Sequence, residues 1–167
     1  MNAINGAIQW INDSAFASAA RESFWVFPSI ETVHVIAIVV VLGSITRLDM
    51  RLMGLTWQDR PVSEVSGEML PWTWTSFVIA AVFGFMLWAS KPFDYFGIAF
   101  FDMKMLLIGL AGINMLVFQL LTRHGIARWD RDASPPLSAR LAGAISLTCW
   151  IAVVFFGRWI GFTMSPS

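Results

Sequence analysis

The chain alternates between four long apolar runs and shorter stretches that hold most of its charge. The runs cover about 24–46, 71–90, 98–122 and 137–162. Each reaches the roughly 20 residues that a helix needs to cross about 30 Å of hydrocarbon. Before them, Ile4, Ile8, Ile11 and Ala15 recur at helical spacing, while Asn5, Gln9, Asn12 and Asp13 fall mostly elsewhere on the wheel. With Trp10, this pattern makes residues 1–22 an amphipathic helix lying in the membrane interface, or else a loose arm. The same residues do not form a signal peptide, since the first twenty contain no Lys or Arg. The expected fold is all-α: a transmembrane four-helix bundle over 23–167, with an N-terminal interfacial helix.

Punctuation within the runs sets finer expectations. Pro28 suits a first helical turn, Pro71 opens the second span, and Pro135-Pro136 breaks any helix carried on from the third. Ser76, Ala80 and Gly84 form a small-residue stripe that lets helices approach closely, and Gly109 and Gly112 mark close packing of the third span. Asn114 and Gln119 are placed to hydrogen-bond across helices, and Cys149 is a buried, inert thiol.

Composition narrows the function. Only 13% of the 167 residues are charged, about half of what a soluble domain carries, which makes the lipid bilayer the first partner. Zero formal net charge gives no field for nucleic acid. One cysteine excludes an intramolecular disulfide, and two histidines make an ordinary zinc site improbable. The two long loops carry Arg47, Arg51 and Arg60, and Arg123, Arg128, Arg131 and Arg140; the other side has Arg21, Lys91, Lys104 and Arg158. By the positive-inside rule both termini are periplasmic and both long loops cytoplasmic. Trp25, Trp88 and Trp159 then form an outer aromatic belt and Trp57, Trp72 and Trp129 an inner one.

Orientation reveals a layer of ionisable residues near the outer face. At 1.5 Å per residue, His34 lies about 10 Å inside the first span, Lys104 about 6–9 Å inside the third and Arg158 about 5 Å inside the fourth. Glu31 is one turn from His34, and Asp102 is beside Lys104. A charge in hydrocarbon costs roughly 2.5–3.5 kcal/mol on insertion scales, so such residues face the bundle interior and find partners. One arrangement is a structural lock of ion pairs, Glu31 with Lys104 or Asp102 with Arg158. The other is a b-type haem, with His34 as axial ligand to the iron and Lys104, Arg158 or Arg21 on the propionates. Met86 is the best candidate for the sixth ligand. His124 lies about 20 Å away along the bundle and cannot share that iron; it reads as a helix-end residue.

The segments "FPSIETVHVIAIVVVLGSITRLDMRLMGL", "FFDMKMLLIGLAGINMLVF" and "GRWIGF" resemble a widespread bacterial family of small four-span membrane proteins of unknown function. More distantly, a histidine in the first span and a lysine opening the third resemble the membrane haem-type protoporphyrinogen oxidases and the membrane domain of copper-resistance D proteins. That resemblance implies a haem-binding role for His34 and an important Lys104, in a bacterial inner membrane. The chain has "TRLDMR" where those oxidases carry a Pro-Arg pattern, so it implies haem binding more directly than that reaction. Copper transport is disfavoured by the scattered methionines, because Cu(I) needs clustered soft ligands.

The leading expectation is therefore a haem b protein for electron transfer or haem-linked oxidation, working as a homo-oligomer or with a membrane or periplasmic redox partner. The alternatives are a non-catalytic subunit of a larger membrane complex and, less favoured, a small-solute or metal permease.

Overall fold

The computed structural model describes residues 3–122 and 125–163. In chain order it forms α1 (Ala3–Asn12), α2 (Ala15–Glu22), α3 (Val26–Leu52), α4 (Val62–Ser90) and a 3₁₀ turn (Pro92–Tyr95). Next come α5 (Ala99–Val117), a wide π turn (Phe118–Thr122), the short α6 (Ile126–Trp129) and α7 (Leu137–Thr163). The fold is an all-α helical bundle. Helices α3, α4, α5 and α7 are long and apolar enough to cross a bilayer, which makes this a multi-pass membrane protein.

The N-terminal segment is two helices, where the hydrophobic pattern predicts one. The chain breaks at Asp13-Ser14, and Ser14 starts α2 by accepting the Ala17 amide at 3.2 Å. Arg21 then binds the two helices to the end of α4, donating to the Ser90 carbonyl at 2.7 Å and the Asn12 carbonyl at 2.9 Å.

At the opposite end, α3 and α4 run past the expected boundaries. α3 continues to Leu52, and α4 begins at Val62, so Pro71 lies inside it. The reason is a set of anchors that single-residue punctuation does not reveal. Arg51 is fully buried and donates to the carbonyls of Arg60 (2.8 Å), Asp130 (3.3 Å) and Asp132 (3.2 Å). Asp130, from the other long loop, caps α4: its carboxylate accepts from the Ser63 amide at 2.7 Å and hydroxyl at 2.6 Å. Its carbonyl takes the Val62 amide at 2.9 Å. These bonds satisfy orphan donors of the first turn and hold an acid where the helix dipole favours one. Val62 and Val65 are buried beneath the cap with Leu48, Leu52 and Ala139, and Arg60 pairs with both Glu64 and Glu68 outside it.

The helices pack in the order α4–α3–α7–α5. α3 lies against α4 and α7, and α5 against α7, while the backbones of α4 and α5 face each other with only sparse approach. Small residues make the close crossings. Ser76 and Ala80 are buried on α4, and the Ser44 and Thr73 hydroxyls meet at 2.8 Å between α3 and α4. A Cβ on Gly143 of α7 would lie 2.8 Å from the Asp49 carbonyl oxygen, so only glycine permits that crossing. Gly109 and Gly112 differ from expectation: a Cβ on either would meet nothing within 4 Å. They lie on exposed parts of α5, where no neighbouring helix approaches.

This contrast is testable by thermal unfolding in detergent. Gly143→Ala should destabilise the bundle by about 1–3 kcal/mol through overpacking. Gly109→Ala should cost nothing, since alanine is the better helix former by about 1 kcal/mol.

Candidate functional site

Among the described residues, one polar place lies inside the bundle toward the α2 end and another toward the end bearing the long loops. At the first, His34 projects from α3 into its interface with α4. Its Nδ1 lies 2.8 Å from the Ala80 carbonyl oxygen. A carbonyl can only accept, so Nδ1 carries the proton, and the Nε2 lone pair is left without a hydrogen bond among the described residues. The ring rests on Gly84, where a Cβ would fall 2.8 Å from Cε1. Two residues of the small stripe therefore seat the histidine: Ala80 gives its carbonyl and Gly84 gives room.

Lys104 of α5 lies across the bundle, close enough for its charge to act on His34. Its stem lies over Gly157 of α7, with Cδ and Cε 3.9 and 4.0 Å from where a Cβ would be. Among the described residues, no carboxylate pairs with it. Glu31 and Asp102 are exposed, and neither ion pair of the expected lock forms. Glu31 instead adds its negative charge near Tyr95; burial first, and then Glu31 and Asp94, push that phenol above its usual range. Arg158 is exposed and places its guanidinium 4.8 Å over the Phe162 ring. Met86 is half-buried two residues after Gly84, which at about 100° per residue turns it to another side of α4. Arg21 is committed to the carbonyls described above. His124 lies outside the described residues.

The second place centres on Asp49, which the charged segment around it conceals. A cavity of about 320 Å³ opens between α4 and α5 near the loop end, closed at its sides by α3 and α7. Asp49, only 2% exposed, lines it, and its Oδ2 has no hydrogen-bond partner. Ser146 of α7 lies beside that carboxyl. Asn114, on the α5 wall, spends an amide hydrogen on the Ala142 carbonyl at 2.9 Å, the interhelical bond expected of it. Gln119, in the π turn, also lines the cavity.

A single family model runs through both places, matching residues 9–163. The chain belongs to DUF6644, a family of unknown function. No curated protein and no solved structure matches it. Among the described residues of this DUF6644 chain, no three His, Cys, Asp or Glu side chains cluster as metal ligands, so His34 stands as a single imidazole donor. Neutral imidazole held by a backbone carbonyl at one nitrogen is the arrangement metal-ligating histidines adopt.

Imidazole ¹⁵N NMR of the apoprotein should show His34 as the Nδ1–H tautomer with a bare Nε2. Gly84→Ala, which forces the ring off its seat, should abolish that preference. An Nε2–H tautomer in the wild type would contradict the seating described.

Proposed function

We propose that this protein binds one b-type haem through His34, near the periplasmic face of a bacterial inner membrane, and serves electron transfer or haem-linked oxidation. The observation that carries the reading is the 2.8 Å contact of His34 Nδ1 with the Ala80 carbonyl, which keeps the proton on Nδ1 and leaves the Nε2 lone pair open to an iron. The resemblance to haem-type oxidases, on a first-span histidine and a third-span lysine, agrees with it.

The chain's own residues suit that role in parts. Ala80 orients the imidazole and strengthens it as a donor, because a ring N–H given to a carbonyl raises the basicity of the other nitrogen. Gly84 leaves space on the α4 side of the ring. Lys104, an ammonium with no carboxylate partner among the described residues, is available for a propionate, and Arg158 is a second, more exposed candidate. A bound haem supplies the one-electron chemistry, whereas the protein sets its orientation, its axial ligand and the charge around it. With one ligand near one face, transfer across the whole membrane requires a second cofactor, another copy or a redox partner.

Visible spectra of protein purified in mild detergent from haem-replete cells test the reading. The wild type should show a Soret band that shifts on dithionite reduction, and His34→Ala should lose it. Lys104→Met should keep the band while shifting its midpoint potential or weakening haem retention. A colourless wild type, or a His34→Ala variant with an unchanged spectrum, would overturn the assignment.

A further inference from the structure

The cavity at the loop end belongs to a different chemistry. It is separated from His34 by fifteen residues of α3, about 22 Å along the helix axis. Its walls are mainly apolar, from Leu48, Leu52, Leu70, Met115 and Phe118 among others, and Asp49 is the only ionisable residue among the described residues that line it. Ser146 donates to this carboxyl, yet a carboxylate buried to this degree stays costly while its second oxygen, Oδ2, has neither a donor nor a cation.

Several donors of the remaining polar lining are already engaged, the Ser146 hydroxyl on the Asp49 carboxyl itself. The Ser66 hydroxyl donates to the Val62 carbonyl at 2.7 Å, Ser63 donates to Asp130, and Asn114 gives one amide hydrogen to Ala142. Pro71 has no N–H to offer the Gly67 carbonyl four residues back, and Gly67 is part of the cavity wall. The π turn brings Phe118 and Gln119 into the same wall, and such turns recur at functional sites. What its described lining lacks is a positive charge to meet Asp49 Oδ2.

We propose that this cavity is a binding site for a small organic amine, whose ammonium pairs with Asp49 Oδ2 and whose apolar body lies against the leucines, Met115 and Phe118. The ammonium brings three N–H donors to the unpartnered Asp49 oxygen, and the volume falls at the lower end of the roughly 300–1,000 Å³ of small-molecule pockets. The pairing takes place away from water, where one opposite charge is worth far more than at the surface.

The test is isothermal titration of the full chain in detergent with n-hexylamine, beside n-hexanol as a neutral probe of the same length and similar partition into micelles. The wild type should bind the amine saturably at one site and the alcohol at least tenfold more weakly. Asp49→Asn, which keeps the shape and removes the charge, should lower amine affinity at least tenfold. Met115→Trp, which fills the cavity without altering the carboxyl, should remove binding of both probes and stands in should Asp49→Asn fail to fold. Equal binding of amine and alcohol, amine binding unchanged in Asp49→Asn or Met115→Trp, or no saturable amine binding would each overturn the proposal. None of these outcomes depends on haem.

Discussion

A single buried guanidinium holds the loop end of this protein together. Arg51 has no exposed surface and reaches carbonyl oxygens in both long loops, at Arg60, Asp130 and Asp132. An unpaired charge in such a place would be severely destabilising, so the loops are obliged to wrap it. Once they do, Asp130 is positioned to cap α4, and α4 starts at Val62, nine residues before Pro71. The register of α4 against α3 follows. Through that register, Ala80 and Gly84 meet His34 at one end of the bundle, and Ser63, Ser66 and Gly67 meet the cavity at the other.

The second constraint is the glycine crossing. Gly143 lets the α7 backbone come up against the Asp49 carbonyl, and this contact fixes α3 to α7 close to the loops. With α5 attached to α7 and α4 to α3, the two pairs meet along one seam, and space remains between α4 and α5. In a bilayer any polar group facing that space must find a partner inside the protein. The two ends solve this differently. His34 turns one nitrogen to a carbonyl and leaves the other open, whereas Asp49 keeps an oxygen open in an apolar cavity.

Much of this architecture was legible from the order of residues. Four apolar runs of sufficient length can only be spans, and His34 and Lys104 stand out because nothing in lipid excuses them. The Ser76, Ala80 and Gly84 stripe marked a face of α4 for close approach, but only the packing shows that His34 is seated on it. The helix ends were less legible. Pro71 reads locally as a start, but tertiary anchors at Arg51 and Asp130 override it. Asp49 was hidden by its neighbours: between Arg47 and Arg51 it resembles part of an exposed, charged exit. Its periodicity carried a signal, since Ile45, Leu48, Asp49 and Leu52 share one buried face, and an acid within an apolar stripe is a buried acid. Gly109 and Gly112 misled because a glycine in a span records a possible close approach without naming the partner.

In the proposed haem site one imidazole, His34 held by Ala80, donates to the iron. Pulsed electron paramagnetic resonance of the oxidised protein, expressed with ¹⁵N-histidine in haem-replete cells, tests it directly. Hyperfine coupling from a single ¹⁵N imidazole on a haem iron is expected, lost in His34→Ala. Coupling to two imidazoles, or none in a protein that carries haem, would contradict it.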